Sequence, residues 1–139
     1  MTATASFRKQ HSELLTVAGE IGKLLDAARL AADATSARTL LSNLAGKLKV
    51  HLAMEDKTLY PRLMQDPDPK VSAMAKRFAD EMGGIAEVFG GYMDRWPTAK
   101  AIQEAPQRFV TDTQKLFAAL STRIDRENNQ LYPLLDQRG

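Results

Sequence analysis

The sequence predicts an all-α protein, one antiparallel up-down-up-down four-helix bundle occupying residues 1–139. Three observations carry that prediction. Apolar residues recur in four long stretches whose steps alternate between three and four, the signature of one helix face. Stretches rich in Pro, Asp and Thr separate them. No window alternates with period two over enough length to argue for a strand.

The first stripe runs Phe7, His11, Leu14, Ala18, Ile21, Leu25, Ala28 and predicts a helix over 9–32. Asp33 to Ser36 offer capping side chains. A second stripe, Ala37, Leu41, Leu44, Leu48, His51, Glu55, Thr58 and Arg62, predicts a helix over 36–63. Gln65-Asp66-Pro67-Asp68-Pro69 then breaks the chain. The third stripe, Val71, Ala75, Phe78, Met82, Ile85, Phe89, Tyr92 and Trp96, predicts 70–95, and Pro97-Thr98 ends it. Residues 99–105 are placed in a short extra turn. Pro106 sits where a first helical turn tolerates proline. The fourth stripe, Phe109, Thr113, Leu116, Leu120, Arg123, Glu127, Gln130 and Leu134, predicts 106–136. A helix of about 25 residues is roughly 37 Å long, and short connections make such neighbours antiparallel.

Composition narrows the chemistry. Cysteine is absent, which removes disulfides, thiolate zinc sites, iron–sulfur clusters and a cysteine nucleophile together. Two histidines cap any metal site at two imidazoles. Nineteen Lys and Arg against seventeen Asp and Glu leave a net charge of only +2, with no phosphate-binding patch, so nucleic acid is not an expected partner. Arg8, Lys9, Glu13, Glu20 and Lys23 argue against a signal peptide or membrane span at the start of the chain. The expected setting is a reducing cytoplasm.

The sequence also repeats. His51 to Leu63 aligns with Arg123 to Leu135 at an offset of 72, with Glu55/Glu127, Leu59/Leu131, Tyr60/Tyr132, Pro61/Pro133 and Leu63/Leu135 identical. Moving His11 forward by a similar amount lands beside Met82. The chain is therefore expected to form two helical hairpins, about 7–63 and 70–136, related by a pseudo-two-fold axis. Tyr60 and Tyr132 are expected to cap the core with their hydroxyls at its edge. Pro61 and Pro133 are expected at late-helix kinks or ends.

Polar residues interrupt three of the inward stripes at matching depths: His11, then His51 with Glu55, then Arg123 with Glu127. A spacing of four puts each pair on one helix face. Buried charges need a partner or a metal, because an unpaired one costs several kcal/mol. Two carboxylates and two imidazoles converging in a bundle core are the donor set of an oxygen- and nitrogen-ligated iron or manganese site.

An early histidine, His-x-x-x-Glu ahead of Leu-Tyr-Pro, and a second Glu-x-x-x-Leu-Tyr-Pro resemble the hemerythrin-like (HHE cation-binding) domains over nearly the whole chain. That resemblance implies a hemerythrin-like bundle with histidine on helix one, His-x-x-x-Glu on helix two, histidine on helix three and His-x-x-x-Glu on helix four. His11, His51, Glu55 and Glu127 match that ligand pattern. Met82 and Arg123 stand where two further histidines belong. Methionine fills the volume of a missing imidazole. Arginine is permanently charged and offers only donors, so beside a metal it repels and between carboxylates it neutralises.

Three readings follow for the site. Arg123 replaces the metal, leaving a degenerate pocket with no cofactor, which is the preferred reading. A residual site at His11, His51, Glu55 and Glu127 retains iron, mononuclear or dinuclear, and the resemblance then implies oxygen, nitric oxide or redox sensing. Or Arg123 leans into solvent and frees all four ligands. Taken singly, His11 is better read as a frayed surface histidine, and each i,i+4 pair also fits a solvated one. The repeat makes those readings the minority.

Catalysis is the weakest class. There is no phosphate-binding loop, Ser12 and His11 are helix neighbours that do not face each other, and a deep core offers the two carboxylates no cleft. Gly83, Gly84, Gly90 and Gly91 weaken helix three by roughly 0.5–1 kcal/mol each relative to alanine. They are either tolerated in a helix held by Phe78, Ile85, Phe89 and Trp96 or form a face for an unidentified protein partner or self-association, which makes a structural dimerisation domain the third functional class.

Overall fold

The computed structural model describes residues 4–138 apart from Gly83, and the side chains of Met82 and Arg138 lie outside the described set. It is an all-α bundle without a strand among the described residues. Helix α1 (Ala5–Gly22) packs along α3 (Thr35–Met54), with α2 (Ala27–Ala32) between them in sequence. Helix α3 passes through a π turn (Glu55–Leu59) into α4 (Tyr60–Met64). The third arm is α5 (Pro69–Met82) followed by α6 (Ile85–Arg95), and the short α7 (Ala99–Glu104) leads into α8 (Pro106–Arg126). A second π turn (Glu127–Leu131) joins α8 to α9 (Tyr132–Arg138).

Two long helices expected from the sequence are interrupted. The helix expected over 9–32 stops at Gly22, because Asp26 turns extended and its carboxylate accepts the Arg29 N–H at 3.0 Å, starting α2 afresh. Leu25 is accordingly only half-buried against the edge of the core, Ala28 is exposed, and Leu30 is buried. The helix expected over 70–95 divides between Met82 and Ile85, around Gly84. Elsewhere one side-chain cap falls where it was expected, and one forms where only a helix end was expected. Asp33 accepts the Thr35 N–H at 2.9 Å, and the Thr98 hydroxyl accepts that of Ala101 at 3.1 Å.

The π turns are the main departure from a simple stripe. In each, one N–H reaches back five residues, Tyr60 to the Glu55 carbonyl and Tyr132 to that of Glu127. The next residue is Pro61 or Pro133, which has no N–H and whose ring would strike the carbonyl four residues earlier in a plain α-helix. The wider turn removes that clash and lets both helices continue, where an end or kink was expected. It also inserts one residue into the stripe. Thr58, Arg62, Gln130 and Leu134, expected inside, are not buried; Leu59, Leu63, Leu131 and Leu135 are.

The core divides into two apolar clusters. One contains Leu14, Leu44, Leu48, Tyr92, Phe109 and Leu120, and the other Phe7, Leu59, Leu63, Phe78, Leu131 and Leu135. On α1, α3 and α8 the polar residues fall between the members of these clusters, so a polar layer separates two greasy ones. At the far end Thr4 clamps α1 onto α9, its N–H and hydroxyl donating to Asp136 at 3.1 and 2.8 Å.

Candidate functional site

Five of the six positions singled out in the sequence meet in that layer. His11 comes from α1, His51 from the end of α3, Glu55 and Glu127 from the first residue of each π turn, and Arg123 from the last turn of α8. All five are buried; both glutamates are 0 % exposed and Arg123 5 %. Met82 ends α5 by its backbone, and its side chain is outside the described residues. One donor atom from each of His11, His51, Glu55 and Glu127 lies within 4.8 Å of all the others. The two imidazole centres are 4.6 Å apart.

Arg123 reaches both carboxylates from one guanidinium. Its Nε donates to Glu127 Oε2 and its Nη2 to Glu55 Oε1, each at 3.3 Å. The tyrosines complete the layer in a crossed pattern. Tyr60 of the first hairpin donates to Glu127 Oε2 of the second, and Tyr132 of the second to Glu55 Oε2 of the first, both at 2.8 Å. The hydroxyls expected at the rim therefore stand at the centre. Burial, together with the carboxylates beside them, pushes both phenols above their ordinary value, so they remain O–H donors.

Each histidine is oriented from behind. His51 Nδ1 lies 2.6 Å from the Gln10 amide oxygen, and the Gln10 amide nitrogen rests on Met54 Sδ, which fixes the amide's direction. His11 Nδ1 lies 2.8 Å from Asn128 Oδ1. The Gln10 amide oxygen accepts only, so on His51 Nδ1 carries the hydrogen, and in both rings Nε2 faces the carboxylates. His11 Nε2 is 3.0 Å from Glu127 Oε1 and equally close to the Tyr132 hydroxyl. His51 Nε2 approaches Glu55 Oε1 to 3.0 Å, yet it has no aligned hydrogen bond among the described residues. Gln10 and Asn128 carry no signal of their own in the sequence. Each is the half-buried neighbour of an inward residue, and each serves a histidine on another helix.

The two glutamates are driven in opposite directions. Burial, then the charge and hydrogen bonding of Glu127, push Glu55 up to about 8 against the smaller pull of Arg123 and Tyr132. Burial opposes ionisation of Glu127 as well, but hydrogen bonding from His11, the Arg123 charge, and hydrogen bonds with Glu55 and Tyr60 outweigh it and hold Glu127 at about 2. Burial also pushes His51 down to about 4, with Glu127 opposing and Arg123 adding to the shift. Both shifts oppose an ion pair between His51 and Glu55, the imidazole being driven toward its neutral form and the carboxyl toward its protonated one. The ionised carboxylate is that of Glu127, against Arg123.

Two surface clefts approach this layer on either side of the α5–α6 break. One, of about 250 Å³, is lined by Tyr60, Ala79 and Arg123; the other, of about 230 Å³, by Gly84, Ala119 and Arg123. Among the described residues no helix is long and apolar enough to cross a membrane. The family model described as hemerythrin HHE cation-binding domain matches residues 2–135. No curated protein and no solved structure matches the chain.

Proposed function

The chain belongs to the hemerythrin HHE cation-binding family, and on that premise we propose that its core is a degenerate cation pocket, closed by Arg123, in a module that acts by binding or regulation rather than by catalysis. The observation that carries this reading is the guanidinium spanning Glu55 and Glu127 at 3.3 Å to each. It supplies the positive charge that two inward carboxylates would otherwise take from a metal.

The donor chemistry points the same way. Every carboxylate oxygen of the pair has a contact within the layer: Arg123 and His51 at Glu55 Oε1, Tyr132 at Oε2, His11 at Glu127 Oε1, and Tyr60 with Arg123 at Oε2. A metal ion taking those oxygens would displace hydrogen bonds already made. It would also face the guanidinium at a repulsion of about 4 kcal/mol per unit charge at 4 Å with an effective dielectric near 20. With Arg123 in place the residues present do not fit a six-ligand dinuclear centre.

A second reading, iron binding in oxygen, nitric oxide or redox sensing, draws on one feature. His51 presents an Nε2 with no aligned hydrogen bond, held by Gln10 so that its lone pair faces three further donors. There His11, His51, Glu55 and Glu127 would hold the ion, iron would supply redox chemistry, and Arg123 would swing into one of the clefts it lines.

Iron titration separates the two. Untagged protein titrated anaerobically with ferrous iron should stay substoichiometric in the parent. Met82→His with Arg123→His should gain iron and, on exposure to air, an absorption that the parent lacks. Stoichiometric iron in the parent, lost on His51→Ala, would establish the second reading instead.

A further inference from the structure

We infer that the trough between α3 and α6 is a self-association surface that takes the α3 ridge of a second copy about a two-fold axis. The trough holds about 400 Å³ and is floored by Leu48, Leu52 and Phe89. Helices α3 and α6 run beside it with only sparse contact between their backbones. Its walls are low because Ala45, Ala53 and Ala86 are small, and Gly90 has nothing within 4 Å of where a Cβ would stand. The glycines of the third arm therefore do not share one face. Gly90 opens onto this trough, Gly84 opens onto the cleft toward Ala119, the Gly91 position faces Arg95, and Gly83 lies outside the described residues.

Charge says what covers it. The rim formed by α3 and the π turn that continues it carries Lys49 and Asp56, both exposed and neither in an ion pair among the described residues. They are seven residues apart, on one face and about 10 Å along the helix, too far to satisfy each other. In an isologous pairing of α3 with its antiparallel copy, the axis passes between Leu52 and Ala53, and facing residues have constant summed numbers. Lys49 then meets the copy's Asp56, and Asp56 the copy's Lys49. The exposed Ala53 at the axis lets the two backbones approach. A partner of one charge sign would satisfy only one of the two rim residues, whereas a second copy satisfies both.

The test is sedimentation equilibrium of the whole chain from micromolar to near-millimolar concentration, with helical circular dichroism as the control for folding. A reversible dimer is expected. Lys49→Asp and Asp56→Lys should each weaken it by about tenfold or more, because each sets like charges together twice across the axis. The double swap should restore it. Gly90→Trp, which fills the trough from an open position, should leave the monomer folded and abolish the dimer. A monomer throughout the range would overturn the inference, as would a dimer indifferent to Gly90→Trp or single swaps that the double swap does not rescue.

Discussion

The two hairpins close on the same backbone device and put it to different electrostatic use. Glu55–Leu59 and Glu127–Leu131 are both π turns, each followed by Tyr-Pro, and each tyrosine bonds the other hairpin's glutamate. One turn before the glutamate, however, the first hairpin has His51 and the second Arg123. That difference, together with the hydrogen bond that His11 gives to Glu127 alone, costs the layer its symmetry: Glu55 is pushed up and Glu127 is held down. Backbone geometry sets where a buried carboxyl sits, and its charge state follows from which neighbours bring a permanent cation or a hydrogen bond. In a low-dielectric layer two adjacent carboxylates do not share ionisation equally.

The hardest way to break this comparison is to remove the cation. Arg123→Ala leaves two buried carboxyls without a permanent cation and should cost about 3–5 kcal/mol in urea unfolding at neutral pH. In that variant, but not in the parent, added manganese should raise the unfolding midpoint, because the pocket then offers acidic donors without a resident charge. A loss below about 1 kcal/mol, the scale of a surface pair, would remove Arg123 from the centre of the layer.

A finer test asks whether the glutamates differ. Glu127→Gln deletes the ionised partner of Arg123 and should cost several kcal/mol. Glu55→Gln replaces a carboxyl that is already neutral and should cost about 1 kcal/mol. Equal losses in parallel denaturant curves would mean that the pair shares its charge.

The smallest effect is in the pH profile. Glu55 is raised from 4.5 to about 8 on folding, so its contribution is complete below 4.5 and is lost as pH rises through about 8. Glu127 is lowered to about 2, so its contribution is present above 4.5 and is lost as pH falls toward 2. His51, lowered from 6.5 to about 4, works against folding as pH drops through that window. These three groups therefore favour the mildly acidic range, and stability should decline between pH 6.5 and 8.5. Thermal midpoints at those two values should show that decline in the parent and a flatter response in Glu55→Gln.

How far the sequence reaches is clearest at particular residues. Helical periodicity found the four arms because a buried face leaves its spacing in the residues themselves, and it found His11, His51, Glu55, Arg123 and Glu127 because they interrupt that spacing. It failed just past each glutamate. A π turn changes the period for one residue, so a stripe extended at fixed spacing arrives at Thr58 and Gln130 instead of Leu59 and Leu131. The correction was present in the repeat, whose identical leucines are the buried ones. Gln10 and Asn128 were out of reach for another reason. Their bonds run between helices, and no spacing within one helix records a partner on a different one.

The π turns bear on how this fold tolerates gains and losses of residues. Without Lys57, the residues after Glu55 would fall at spacings of three (Leu59), four (Tyr60) and seven (Leu63), an ordinary α stripe. The helix thus carries one residue more than an α stripe needs and takes it up as the π turn. Pro61 is the lock, because in the shortened helix its ring would strike the carbonyl of Asp56. Deletion of Lys57 meets that clash unless Pro61 is replaced with it, so the two positions form one linked unit. The second hairpin carries the same extra residue with the same lock at Pro133.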